Sequence, residues 1–154
     1  MSATTTPAPA ISETYRAMLG VERAIGKSRI EPPLRELIKQ RVSQINGCAF
    51  CIDMHWKDAR AAGETEQRLY SLPAWRECPY YSERERAGLL LAEELTRVAD
   101  KPAPEEAIEQ AREHFDAQEL DDLLWVIAAI NTWNRISIGS RKTPGEYQPA
   151  GATH

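Results

Sequence analysis

Apolar residues recur along the chain at spacings of three and four. Nowhere do they alternate with polar residues long enough for a convincing strand, so the pattern predicts an all-α fold, a helical bundle. A first short helix is expected over residues 11–19, stopping at Gly20. A second starts at Pro32 and Pro33, because proline is tolerated in a first turn, and ends near Gly47. Its apolar stripe is Leu34, Leu37, Ile38, Val42 and Ile45. A third runs from about Cys48 to Gly63, a glycine stop. A short helix over 64–72 is broken at Pro73. Ser82 and Glu85 form a capping box that opens a helix to about Val98. Pro102 and Pro104 interrupt the chain, and Glu105 and Glu106 suit the start of a helix reaching about Phe115. The last long helix spans about 120–138 and ends at Gly139. Residues 1–10 read as a flexible leader, 11–140 as one domain without internal repeats, and 141–154 as an irregular tail rich in proline and glycine.

The last helix carries apolar residues on two sides. Leu120, Leu124, Ile127 and Ile138 share one face; Trp125, Ala129, Trp133 and Ile136 share the other, and no charge falls between Leu123 and Asn134. A helix apolar on two faces is buried on two faces. In a chain of 154 residues the second face is expected to meet another copy of the chain, so a homo-oligomer is predicted. The alternative is a central core helix of a single subunit. Asn131 and Asn134 fall on or near the first apolar face, where a buried amide needs partners; structural hydrogen bonding is the expected role, and contact with the active site the alternative.

Composition changes the picture only by exclusion. Hydrophobic residues make up 42% and charged residues 27%, which excludes whole-chain disorder. The net charge of −4 gives no basic footprint for nucleic acid. No apolar run is long enough for a membrane span, and the first ten residues lack a charged start and an apolar core, so no signal peptide is read and a cytoplasmic location is expected.

Candidate chemistry lies in residues 45–55, Ile-Asn-Gly-Cys-Ala-Phe-Cys-Ile-Asp-Met-His. Cys48, Cys51 and His55 are spaced three and then four, so on a helix they share a face. A helix start supplies free N–H groups and a dipole that favour a thiolate. His55, one turn beyond Cys51, can accept or return that thiol's proton. Three readings fit the spacing. The pair can be a redox dithiol; it can contribute with His55 to a zinc site; or the cysteines can be small buried hydrophobes beside a satisfied histidine. A zinc site lacks a second ligand pair, since only Cys78, His114 and His154 remain. Cys78 reads as a bystander thiol, His114 as a helix-end residue, and the tryptophans and tyrosines as core or interface.

The same stretch, with Asp58-Ala59-Arg60, Ala62-Gly63-Glu64-Thr65 and Asn131-Thr132-Trp133-Asn134-Arg135, resembles the alkyl hydroperoxidase D (AhpD-like) family of the carboxymuconolactone decarboxylase-like superfamily. The resemblance covers about residues 34–135. It implies an all-α fold assembling as trimers or hexamers, and peroxidase activity without metal or organic cofactor. It implies that Cys51 attacks the peroxide and Cys48 resolves it as a disulfide. His55 would serve Cys51, and Glu36, twelve residues before Cys48, would join the proton relay. The substrate implied is a small organic hydroperoxide, and the reductant a dithiol, lipoyl-bearing or thioredoxin-like. Some members carry a second histidine where this chain has Phe50. The helical pattern alone puts Glu36 with Lys39, Gln40 and Ser43, opposite the apolar stripe, as on a solvated face. The rival functions are a non-redox decarboxylase-type enzyme and a non-enzymatic redox sensor.

Overall fold

Polar side chains open the helices where short capping residues precede apolar periodicity. In the computed structural model, which describes residues 11–100 and 104–151, Ser12 opens α1 (Glu13–Ile25) by accepting from the Tyr15 N–H at 3.1 Å. Pro32 begins α2 (Pro32–Asn46), and Gly47 ends it in the left-handed conformation at φ 68°. Cys48 caps α3 (Ala49–Ala61). Thr65 caps α4 (Glu66–Ser71), which leads into a 3₁₀ turn, Leu72–Glu77. Ser82 and Glu85 form both halves of the capping box of α5 (Glu83–Thr96). Pro104 precedes α6 (Glu105–His114), and Asp116 with Glu119 makes a second capping box for α7 (Ala117–Gly139). No strand occurs among the described residues. The predicted leader, Pro102 and the last three residues of the tail lie outside them.

Three boundaries differ from the sequence reading. α1 does not stop at Gly20 but continues to Ile25. A helical glycine costs only about 1 kcal/mol, and packing overrides it. Met18, Val21 and Ile25 lie against the core, while Glu22 accepts from Lys39 at 2.8 Å and from the Trp133 indole at 3.0 Å. Pro73 does not end helical structure; it sits in the first turn of the 3₁₀ segment, where its missing N–H is harmless. α7 begins three residues earlier than expected because Asp116 and Glu119 cap it.

The core centres on α2, which packs against α3, α5 and α7. Leu34, Leu37, Ile38 and Val42 are fully buried, as the stripe predicts. Most of the supposed solvated face is buried too: Lys39, Gln40 and Ser43 are 7% exposed or less, and the neighbouring Arg41 is 8% exposed. A helix buried along its middle must pair most of its polar groups internally, and Gln40 Oε1 is the exception, left without a partner. Arg41 donates to Glu93 at 2.6 Å, and Glu93 also accepts from Arg76 at 2.6 Å and the Trp75 indole at 3.0 Å. Asn46 donates to Asn131 and Asn134, and Asn134 donates to Ser43, clasping α2 to α7.

The two faces of α7 are drawn differently from the sequence reading. Its buried side is Leu123, Val126, Ile127, Ala129, Ile130 and Asn134, whereas Leu124 and Ile138 of the expected core face are exposed. Trp125 is 57% exposed and Ile136 41%. Leu124, Trp125, Ile136 and Ile138 are therefore all on the outer half of the helix.

Candidate active site

Gly47 turns the chain between α2 and α3 in a conformation that a side chain rarely adopts. The turn folds α3 back along α2, with the Cys48 N–H donating to the Ser43 carbonyl at 3.0 Å. It places Cys48 at the N-cap, and the Cys48 Sγ accepts from the Cys51 N–H at 3.4 Å. Cys48 and Cys51 are both free thiols, each 1% exposed. Their surroundings differ. Cys51 lines a cavity of about 250 Å³ with His55, Met54 and Asp58 of α3. Glu36 and Lys39 of α2, Tyr15 and Glu22 of α1, and Trp133 of α7 also line it. Cys48 instead borders an open groove with Arg141 and Pro144.

Glu36 is not a surface residue. Its carboxylate lies 2.9 Å from His55 Nδ1, and the His55 ring is 5% exposed. Burial, the largest single effect, pushes the Glu36 carboxyl up, but the His55 hydrogen bond and the charges of His55, Lys39 and Arg35 together outweigh it. The group sits below its ordinary range. An ionised Glu36 can only accept, so Nδ1 carries the proton it donates, and a neutral His55 keeps Nε2 as its basic nitrogen. The helical pattern could not find this contact, because it depends on the crossing of α2 and α3. Glu36, Cys51 and His55 line one cavity.

The helix-start argument for an activated thiol does not hold for Cys48. Burial and the adjoining Cys51 thiol push Cys48 up to about 11, against the pull of the Cys51 N–H and the Asn134 side chain. The capping N–H is one weak donor to sulfur, and desolvation of a thiolate is the larger effect. Cys48 therefore stays protonated at neutral pH.

Other residues complete the site. Phe50 lines the cavity, with Lys142 Nζ 4.0 Å from its ring centroid. A phenyl ring there can hold a cation by its face but cannot pass a proton. Asp58 lies one turn beyond His55, and its carboxylate accepts from the Tyr147 hydroxyl at 2.6 Å. Ligand-capable atoms of Glu36, His55 and Asp58 all lie within 4.8 Å of one another. The carboxylates already have protonic partners, Glu36 the imidazole and Asp58 the phenol. Asp58 had a signal in sequence, its i+3 spacing from His55; Tyr147 and Lys142, in the tail, had none. Cys78 lies away from the cavity and donates to the Ala74 carbonyl at 3.4 Å.

YdfG of Bacillus subtilis (strain 168), an uncharacterised protein, is 52% identical over 126 residues, spanning 82% of this chain and 86% of that one. The crystal structure of ATU0492 from Agrobacterium tumefaciens, described as a putative antioxidant defence protein AhpD, matches with a TM-score of 0.84 at 41% identity, over 88% of this chain and 92% of that one. An uncharacterised peroxidase-related protein from Silicibacter sp. TM1040 matches with a TM-score of 0.77 at 26% identity, over 87% and 71%. The sequence pattern of the Carboxymuconolactone decarboxylase family matches residues 9–94, which include Glu36, both cysteines and His55. With an all-helical fold shared with AhpD-like structures, the chain belongs to the carboxymuconolactone decarboxylase family, among its AhpD-like members.

Proposed function

We propose that the chain is a thiol-dependent peroxidase acting on small organic hydroperoxides through a Cys48–Cys51 disulfide cycle. The observation that carries the reading is the shared cavity of Cys51 and a Glu36-oriented His55, with the Cys48 sulfur on the Cys51 N–H. His55 Nε2 takes the Cys51 proton. The Cys51 thiolate attacks one peroxide oxygen, the O–O bond breaks, and the departing alkoxide takes the proton back from His55. Cys51 is then a sulfenic acid and the peroxide an alcohol. The Cys48 sulfur attacks the Cys51 sulfur, water leaves with the Cys48 proton, and a disulfide forms. An external dithiol, lipoyl-bearing or thioredoxin-like, reopens it by exchange. The groove beside Cys48 is the side from which such a dithiol approaches. No step calls for a metal or organic cofactor.

The cycle suits the reducing cytoplasm. No helix among the described residues is long and apolar enough to cross a membrane. The exposed apolar side of α7 fits contact with further copies of the chain, a trimer or hexamer. Anaerobic titration of the reduced protein with an organic hydroperoxide tests the function. The expected result is loss of both Cys48 and Cys51 thiols for each peroxide consumed, with alcohol as product. Peroxide left intact in the presence of reduced thiols overturns the reading. Activity on a lactone acid that survives thiol alkylation would favour a non-redox decarboxylase instead.

A further inference from the structure

The tail after α7 is irregular, as its prolines and glycines predict, but it is not detached. Residues 143–149 are strapped along α3 by side chains one turn apart. Lys57 donates to the carbonyls of Gly145 and Tyr147, each at 3.0 Å, and to Asp53 at 2.9 Å. Asp53 in turn accepts from the Gly145 N–H at 3.1 Å. Gly145 has φ 107°, a backbone that favours glycine and lets both of its peptide groups face α3. The next strap residue but one, Tyr147, is half-buried and donates its hydroxyl to Asp58 at 2.6 Å. Asp58 lines the Cys51 cavity and lies within 4.8 Å, ligand atom to ligand atom, of Glu36 and His55.

Two carboxylates thus stand beside one imidazole, and each has its own hydrogen-bond partner. We propose that Tyr147 is a positioning residue of the thiol site, holding Asp58 in place and drawing off part of its negative charge, and so setting the pH at which Cys51 becomes reactive. The phenol is suited to this. Burial, then the hydrogen bond to Asp58 and the charges of Asp58 and Glu36, raise it above its ordinary value, so it remains a donor. The other charged groups facing the cavity are Glu22 from α1, Lys39 from α2 and Lys142 beyond α7. Glu22 and Lys39 are paired with each other at 2.8 Å, and Lys142 lies over Phe50. Asp58 is therefore the carboxylate whose effective charge depends on the strap.

The inference deepens the peroxidase reading, but its test need not use peroxide. In a Cys78→Ser background, the rate of iodoacetamide attachment to Cys51 is followed across the pH range, with the labelled peptide identified by mass spectrometry. Tyr147→Phe leaves Asp58 fully charged in the cavity where the Cys51 thiolate forms. The alkylation midpoint is expected to move up by roughly half a pH unit, slowing the neutral-pH rate about threefold. Asp58→Asn keeps an acceptor for the phenol but removes the charge, and the midpoint is expected to move down. Opposite displacements support the proposal, because a tail that merely braces α3 would not separate the two variants in sign. Coincident midpoints, or displacement in the same direction, overturn it. Stopped-flow oxidation by an organic hydroperoxide is run in parallel. If the wild-type thiols ignore peroxide while the alkylation midpoints separate, the peroxidase reading fails and this one stands. If peroxide is consumed but the midpoints coincide, the reverse holds.

Discussion

At the scale of single residues, Cys51 and Cys48 have unequal surroundings despite their spacing of three. Cys51 meets the cavity and shares it with His55, whereas Cys48 is held protonated by burial. Cys51→Ser is expected to abolish the first-turnover burst of peroxide consumption. Cys48→Ser should preserve the burst and leave a sulfenic acid on Cys51 that a dione probe traps. The reverse pattern in rapid-mixing experiments would exchange the two roles. His55→Ala should slow the burst by about 100-fold at neutral pH, in the range for loss of a general base. Alkaline pH should restore part of the rate by ionising the thiol directly. Glu36→Gln should have a smaller effect of the same kind, about tenfold, because the ring keeps its place but loses its charged orienting partner.

At the scale of elements, α2 is held by polar clasps as well as by its apolar stripe. Glu93 is 1% exposed and takes three donors, from α2 and from the 3₁₀ turn. Glu93→Ala would leave the Arg41 guanidinium buried beside an empty site, at a cost of about 3–5 kcal/mol. Urea denaturation is expected to show the midpoint fall accordingly, and a loss below 1 kcal/mol would mean that water replaces the carboxylate. The same group predicts an acid limit. Burial raises Glu93, but its hydrogen bonds to Arg76, Arg41 and Trp75 and the charge of Arg41 bring it below its ordinary value of 4.5. A carboxyl depressed in the folded state contributes stability above its unfolded value, and that contribution is lost as pH falls through the folded one. Glu36, depressed by its partners against burial, acts in the same direction. Denaturation midpoints should hold down to about pH 4.5 and decline below it.

At the scale of the whole molecule, the alkaline limit has the opposite sign. Cys48 is raised from 9.0 to about 11 and Tyr81 from 10.0 to about 12, both chiefly by burial. Groups raised in the folded state contribute stability below their unfolded values and lose it as pH climbs through the folded ones. Stability should therefore fall from about pH 9 upward, and Cys48→Ser should remove the earlier part of that fall. The outer side of α7 makes a separate prediction. Leu124, Trp125, Ile136 and Ile138 are each 39% to 57% exposed on one long helix. Sedimentation at micromolar concentration is expected to give an assembly, and Trp125→Asp to shift it toward the 17.3 kDa monomer. A wild-type chain that sediments as a monomer would contradict the interface.

What the chain determines by itself is local. The three-four periodicity, the Ser82–Glu85 box, the prolines at the head of α2 and the glycine after it set helices within a few residues of where they stand. They also put Cys48, Cys51 and His55 on two turns of one helix. These features rest on interactions between near neighbours, which sequence spacing encodes. Glu36 is the instructive contrast. Resemblance to a family named it, but its own helix placed it among residues that look solvated. Only the packing of α2 between α3, α5 and α7 turns that face inward and brings the carboxylate to His55 Nδ1. The outer side of α7 differs from its periodicity for the same reason, since which apolar stripe meets the core depends on the partner helices. Asp58 and Tyr147 are 89 residues apart, and their contact follows from a tail folded back along α3. Contacts of that range are set by how helices pack and where the chain returns, and no periodicity records them.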